Sequence, residues 1–122
     1  MSKKYQQRAA DLVRAHLTEL LQTQVNDPRL QMVTITDVRV TPDAARAHVH
    51  VSAIGDEETS AQVIASLQKA AGFLRYELGQ RIHLRHTPEL VFHWDASLER
   101  GDRIATLLDQ LQDEPKGPGS EP

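Results

Sequence analysis

The sequence predicts one α+β domain in which helices cover one face of a three-stranded sheet. Apolar residues recur at helical spacing in three segments, and three shorter segments show the alternating polarity of strands, the first of them rich in β-branched residues. With 122 residues and 39% hydrophobic content, the chain can bury a core without disulfides, and it contains no cysteine. Residues 1–111 are expected to form the domain, and residues 112–122, which are rich in proline and glycine, a disordered tail.

The first half of the chain predicts a helix followed by a β-hairpin. Residues 9–25 carry apolar side chains at helical spacing, and an Asn-Asp-Pro sequence ends this helix because the residue before proline avoids the α region. Residues 31–40 form the first predicted strand, in which a change of alternation indicates a β-bulge near Thr36–Asp37. After a turn at residues 41–43, residues 45–54 alternate between apolar and polar side chains. The two strands are therefore expected to pair antiparallel, with one buried face.

The second half predicts a long helix, a third strand and a last helix. Residues 60–82 keep one helical apolar stripe, formed by Ile64, Leu67, Ala71, Leu74, Leu78 and Ile82. Residues 89–94 form the third predicted strand. Ser97 is a suitable N-cap for a last helix that extends to Leu111.

The long predicted helix contains two glycines, Gly72 and Gly79, and each weakens a helix interior by about 1 kcal/mol relative to alanine. The apolar stripe keeps its phase at Gly72, which favours a kink inside one helix over a loop between two helices. Together with Gln68 and Arg75, the glycines form a flat, positive stripe, and a kink would free N–H groups that suit a phosphate. Close packing against another helix is the alternative explanation of the glycines.

Positive charge is concentrated around this glycine helix. The chain has a net charge of −3, which is not typical of a nucleic-acid-binding protein. Between residues 69 and 86, however, the sequence contains four cations and only one carboxylate, Glu77. The four are Lys69, Arg75, Arg81 and Arg85, and the N-terminus adds Lys3, Lys4 and Arg8. The uneven distribution indicates a partner of negative charge.

Four short motifs occur in order along the chain. They are Asn-Asp-Pro-Arg at residues 26–29, Ala-Ala-Gly at residues 70–72, LR-x-x-PEL-x-F at residues 84–92 and DxSLxxG at residues 95–101. In these motifs and the sequence around them, from about residue 8 to residue 108, the chain resembles the bacterial ribosome-binding factor A family.

The resemblance implies a type II KH-like fold with an interrupted Ala-x-Gly helix, matched here by Ala70 and Gly72. In ordinary KH domains a GxxG loop clamps the nucleic-acid backbone. The resemblance also implies a partner, the immature small (30S) ribosomal subunit with its 16S rRNA. The implied function is assistance to late subunit maturation and to 5′-end processing of the 16S rRNA, with most importance in the cold. It implies no cofactor and no small-molecule substrate.

The residues expected to bind RNA lie on the glycine helix and at other basic positions. On and after the helix they are Lys69, Ala70, Ala71, Gly72, Arg75, Arg81 and Arg85, and Lys3, Lys4, Arg8 and Arg29 extend the positive surface. The sequence contains no P-loop, GxSxG or HExxH motif, so an enzyme is not expected. With no apolar run of about 18 residues and no signal-peptide pattern, the expectation is a cytoplasmic monomer that does not bind membranes.

Two alternatives and one uncertain side chain stay open at this point. The flat stripe of a KH-like module could dock another protein helix instead of RNA, and the salt dependence of binding would separate the two cases. His48, His50 and His93 could serve a metal-dependent enzyme, although no matching carboxylate or cysteine cluster accompanies them. Phe73 points away from the apolar stripe on an ideal helix and could be either core or exposed.

Overall fold

A computed structural model describes residues 3–54 and 57–96. Along these ranges the elements are α1 (Lys3–Thr23), α2 (Pro28–Gln31), β1 (Thr34–Val40), β2 (Arg46–Ser52), α3 (Glu57–Arg81) and β3 (Glu89–Trp94). The strands form one sheet in the order β1-β2-β3, with β1 antiparallel and β3 parallel to β2. The predicted α+β class, with three strands and a hairpin of the first two, is confirmed.

The core lies between the sheet and the two long helices, because α1 packs on β1 and α3 packs on β3. Fully buried side chains come from every layer: Val13, Leu17 and Leu20 of α1, Val49 and Val51 of β2, and Leu67, Leu74 and Leu78 of α3. Each buried leucine or valine contributes about 1.5–3 kcal/mol relative to an exposed one. Within the described ranges, no helix has the length and apolar character needed to cross a membrane.

The predicted β-bulge in β1 is confirmed. Ile35 pairs with Val51 and Asp37 pairs with His50, so Thr36 is the extra residue between them. The hydroxyl of Thr36 lies 3.2 Å from the His50 carbonyl oxygen and 2.6 Å from Asp95 Oδ2. Because of the bulge, Ile35 and the valines that follow it all face the core.

The turn between β1 and β2 is held by backbone and side-chain hydrogen bonds. The N–H of Thr41 donates to the Arg46 carbonyl at 2.9 Å, and the N–H of Ala45 donates to Asp43 Oδ1 at 3.0 Å. The Thr41 hydroxyl, followed by the Ala45 N–H, holds the pKa of Asp43 below its usual value. Ala44 occupies the left-handed region with φ 60°.

The largest differences from the predicted element boundaries lie at the starts of α1, β1 and α3. α1 begins at Lys3, six residues earlier than predicted, and α3 begins at Glu57 instead of residue 60. The short helix α2 was not predicted, and it delays the start of β1 to Thr34. Asp27 caps α2 by accepting the Arg29 N–H at 3.0 Å, and Pro28 suits the first helical position. The same Asp-Pro pair thus ends one helix and begins another.

Some predicted features lie outside the described residues. They are the last helix that Ser97 was expected to cap and the tail at residues 112–122.

Candidate nucleic-acid interface

The glycine helix is one continuous element. α3 is an α-helix of 25 residues, and Gly72 and Gly79 both lie inside it. In a continuous helix each N–H donates to the carbonyl four residues earlier, so Gly72 offers no free donors for a phosphate. The prediction of one helix instead of two helices joined by a loop is confirmed, while the kink at Ala70–Gly72 stays a prediction.

The two glycines have different surroundings. A Cβ atom built on Gly79 would lie 2.9 Å from Thr87 Oγ1, closer than side chains normally approach. Among the described residues, a Cβ built on Gly72 would meet no atom within 4 Å beyond its chain neighbours and the nearby helix backbone. Close internal packing thus explains Gly79, whereas Gly72 faces open space.

Arg75 also belongs to the contact with Thr87. Its Nε and Nη2 donate to the Thr87 carbonyl oxygen at 3.1 and 2.9 Å. The next residue, Pro88, is fully buried. Arg75 and Gly79, one turn apart, therefore hold the segment that leads into β3, and the guanidinium predicted to contact phosphate already has an internal acceptor.

Two other predicted RNA-binding arginines form ion pairs within the domain. Arg81 Nη1 lies 3.2 Å from Glu19 Oε1 on α1, and Arg29 Nη2 lies 3.1 Å from Asp27 Oδ2. The hydrogen bond from the Arg29 side chain is the main reason why the pKa of Asp27 lies below its usual value. Both arginines thus have their charge partly balanced from within.

The remaining predicted cations are exposed and have no side-chain hydrogen bond or ion pair among the described residues. They are Lys3, Lys4, Arg8, Lys69 and Arg85. The backbone N–H of Arg85 donates to the Tyr5 hydroxyl at 3.3 Å, which brings the end of the Arg85 segment beside α1. Arg8 lies with Tyr5 and Arg81 on the α3 side of α1, whereas Lys3 lies beside β1, so the N-terminal cations are divided between two sides of α1.

The outer face of α3 combines small residues, cations and two aromatic rings. The exposed positions between residues 61 and 80 are Ala61, Gln62, Ala65, Gln68, Lys69, Gly72, Phe73, Arg75, Tyr76 and Gln80. This face, called the α3 face below, has two exposed cations, and the one carboxylate between residues 61 and 80, Glu77, is half-buried at its edge. Ala70 and Ala71, by contrast, are half-buried against the core, so only Gly72 of the Ala-Ala-Gly motif is open to a partner.

A cavity of about 430 Å³ lies between α1 and the end of α3. Arg8, His16, Arg81 and His83 line it, together with apolar side chains. Nδ1 of His16 is buried and has no hydrogen-bond partner within the described structure. The sequence indicated none of this grouping, because its members are about 70 residues apart and meet only through the packing of α1 on α3.

Three histidines meet on the outer face of the sheet. His48 Nδ1 lies 2.9 Å from His93 Nε2, and the rings of His50 and His93 are stacked with centroids 5.0 Å apart. Burial, followed by the charges of His50 and His48, lowers the pKa of His93. In the described ranges, no group of three or more histidine, aspartate or glutamate side chains is arranged to hold a metal ion. The metal-enzyme alternative thus finds no support in the described site.

The position of Phe73 is settled by the structure. Phe73 is 46% exposed and Tyr76 is 64% exposed, so both rings lie on the α3 face. Phe92 is buried, and Trp94 is half-buried against the core, as expected of strand residues.

The fold and this surface define a class of protein: a small α+β domain with a positive face on its longest helix. Residues 5–108 match the family model for ribosome-binding factor A. The chain belongs to the ribosome-binding factor A family.

Related proteins agree with this assignment. The chain is 46% identical over 105 residues to ribosome-binding factor A of Aromatoleum aromaticum, a match that covers 86% of this chain and 83% of the relative. It is 42% identical over 111 residues to ribosome-binding factor A of an Azoarcus species, with 89% of this chain and 88% of the relative covered.

Solved structures show the same fold. The crystal structure of ribosome-binding factor A from Thermus thermophilus superposes with a TM-score of 0.65 at 28% identity, over 73% of this chain and 93% of the other. A Thermus thermophilus ribosome-binding factor A homology model fitted into a cryo-electron microscopy map of a 30S complex gives a TM-score of 0.60 at 29% identity, over 71% of this chain and 91% of the other.

Proposed function

We propose that this protein is a non-enzymatic assembly factor that docks on the immature small ribosomal subunit and binds its 16S rRNA. It acts in the cytoplasm as a monomer, assists late subunit maturation and 5′-end processing of the rRNA, and matters most in the cold. Family membership supports the proposal, as does the related protein fitted into a 30S complex. The observation that carries it is the α3 face, where Lys69 and Arg75 are exposed while Glu77 is half-buried, in a chain of net charge −3.

The structure divides the predicted RNA-binding cations into two groups. Lys69, Arg85 and the N-terminal Lys3, Lys4 and Arg8 are exposed and without internal partners in the described residues, so they are proposed to contact phosphates directly. Arg29, Arg75 and Arg81 each bind a group of the protein. They are proposed to contribute to the positive potential while they hold neighbouring segments in place. Gly72, with Ala70 and Ala71 behind it, lets an RNA backbone come close to α3.

The proposed mechanism uses binding energy alone, and no covalent bond is made or broken. A factor that binds one rRNA conformation more tightly than others shifts the population toward it. Misfolded RNA helices escape more slowly in the cold, so such a factor gains importance as the temperature falls. Growth of a deletion strain at several temperatures tests this point, and an equal growth loss at every temperature would contradict it.

Cosedimentation with immature and mature small subunits across a salt series tests the proposal. RNA binding through about four to six phosphates weakens steeply with salt, whereas docking of an apolar helix does not. We expect salt-sensitive binding that favours the immature subunit. No binding to either subunit at any salt concentration would overturn the proposal, and salt-insensitive binding would favour a protein-interaction module.

A pair of variants locates the contact on α3. Lys69→Gln removes one charge from the α3 face and is expected to reduce the slope of log K against log salt by about 1. Arg39→Gln is the matched control, since it removes one exposed charge from the outer face of the sheet, where Arg39 pairs with Asp37 at 2.9 Å. An unchanged slope for Lys69→Gln would place the contact elsewhere.

A further inference from the structure

Two aromatic rings stand together on the α3 face. Phe73 and Tyr76 are three residues apart, so their side chains are neighbours on the helix surface. With Met32 and Ile54 they are the exposed large apolar side chains of the described residues. The chain has only five aromatic residues of the Phe, Tyr and Trp types, and two of them lie exposed side by side.

The charges nearest the rings are Lys69, which is exposed and lies one turn before Phe73, and Glu77, which is half-buried and lies one turn after it. Among the described residues, no atom lies within 4 Å of the position that a Cβ would take on Gly72, one turn before Tyr76. Lys69 is therefore the more accessible of the two charges beside Phe73. A partner can therefore reach the rings and the Lys69 ammonium group at the same time.

This combination fits one nucleotide unit of unpaired RNA. An aromatic ring stacks on a base, while a cation nearby attracts the phosphate that follows it. Bases inside a duplex already stack on one another and cannot reach a protein ring, whereas unpaired bases can. A protein partner could contact the same rings. It would gain electrostatic attraction from the exposed Lys69 and Arg75 only if its own surface were acidic.

We propose that Phe73 and Tyr76 stack on unpaired bases of RNA and that Lys69 holds the adjoining phosphate. This inference rests on the proposed function and specifies its substrate: the α3 face binds single-stranded rRNA and discriminates against duplex. Lys69 supplies charge and the two rings supply the preference for unpaired bases.

The test compares a fluorescently labelled single-stranded RNA of ten nucleotides with a blunt RNA hairpin by fluorescence anisotropy, across a salt series. The variants are Phe73→Leu/Tyr76→Leu, which keeps apolar helix-forming side chains, and Lys69→Gln. Met32→Leu, which changes an exposed apolar side chain outside α3, is the matched control. Circular dichroism and thermal unfolding confirm that each variant remains folded.

We expect the double leucine variant to bind the single strand about fivefold or more weakly for each ring lost, since stacking on aromatic side chains has that magnitude. Its salt slope should stay unchanged, because no phosphate contact is lost, and its preference for the single strand over the hairpin should disappear. Lys69→Gln should instead lower the salt slope while it retains the preference.

Two outcomes would overturn the stacking inference. One is an unchanged affinity of the double leucine variant for the single strand. The other is a loss of small-subunit binding by that variant without any loss of RNA affinity, which would assign the rings to a ribosomal protein. Both leave the proposed function standing if the unmodified protein cosediments with the immature subunit. Failure of that cosedimentation is the separate result that overturns the proposed function.

Discussion

Gly72 and Gly79 lie seven residues apart in one helix, yet they face different surroundings. Gly79 lies against Thr87, which approaches so closely that a Cβ would be only 2.9 Å from the Thr87 hydroxyl oxygen. Gly72 lies in open space beside Phe73 and Lys69. The same residue type thus serves internal packing at one position and leaves room for an external partner at the other.

The comparison extends to the charges beside each glycine. Arg75, near Gly79, donates two hydrogen bonds to the Thr87 carbonyl. Lys69, near Gly72, has no such partner in the described residues. A cation that binds its own backbone stabilises the fold, while an exposed cation without a partner can bind another molecule. In α3, the C-terminal part around Gly79 therefore stabilises the fold, while the middle around Gly72 is exposed to a possible partner.

Of the variants proposed, Gly79→Val should lower the stability of the protein most, and it should separate the roles of the two glycines most clearly. The larger side chain must displace Thr87, and overpacking of this kind costs about 1–3 kcal/mol. For a domain of this size each kcal/mol lowers the midpoint of thermal unfolding by about 4–8 °C. Gly72→Val is the matched control and should change the free energy of unfolding by less than about 0.5 kcal/mol. Equal destabilisation by both variants would contradict the assigned roles.

Gly72→Ala should separate stability from binding. No atom opposes the new methyl group, so the gain in helix propensity should stabilise the protein by about 1 kcal/mol. The same methyl group should weaken cosedimentation with immature subunits, since it occupies the space proposed for RNA. Retention of full binding by this more stable variant would show that close approach at Gly72 is not needed.

Arg75→Gln should have a smaller effect on stability. It removes two charge-assisted hydrogen bonds from an exposed side chain, for which about 0.5–1.5 kcal/mol is expected. Urea denaturation measures the loss. Lys69→Gln, which removes no internal bond, is the control and should leave the urea midpoint unchanged. If Arg75→Gln were equally neutral, Arg75 would be available to RNA in the same way as Lys69.

The smallest expected effect is a pH dependence of the thermal unfolding midpoint, which the two glycine variants should share with the wild type. Burial lowers the pKa of His93 below the ordinary value of 6.5, so the unfolded chain binds a proton more readily than the folded one. Stability from this source is present above pH 6.5 and is lost as the pH falls toward the folded-state pKa. Thermal unfolding between about pH 7 and pH 5 should therefore give parallel curves for the wild type, Gly72→Ala and Gly79→Val.

His93→Gln is the variant that should change this dependence. Its unfolding midpoint should fall less as the pH is lowered from 7 to 5, because the perturbed histidine is absent. A curve that stays parallel to the wild type would show that another group causes the pH dependence.

Local sequence patterns predicted most of the fold. They failed where one residue pair both ended a helix and began another, and where a helix start had no apolar periodicity. The β-bulge at Thr36 followed from a change of alternation, and the hairpin followed from two alternating segments with a short turn. The helix α2 was missed because the Asp27–Pro28 pair was interpreted only as a helix end. The early start of α1 was missed because Lys3 and the polar residues after it give no apolar periodicity.

The position of the candidate site on α3 stays a prediction, and the structure adds contacts that the sequence did not indicate. Cation content and the two glycines pointed to α3, and the described structure places Lys69, Gly72 and two exposed rings there. The pairing of Arg81 with Glu19 joins residues 62 positions apart, and no local pattern reports such a contact. The assignment of individual residues to RNA stays a prediction.

The sequence by itself determined the two long helices α1 and α3, the three strands and the segregation of charge along the chain, because helical and strand periodicities are local and charges can be counted. Tertiary structure decided which glycine is packed, which cation has an internal partner and where the aromatic rings lie. These properties depend on what the chain brings beside α3 from elsewhere: Thr87 from the segment before β3, and Glu19 from α1. Contacts between distant segments form only when the core closes, and for that reason they are absent from any local pattern.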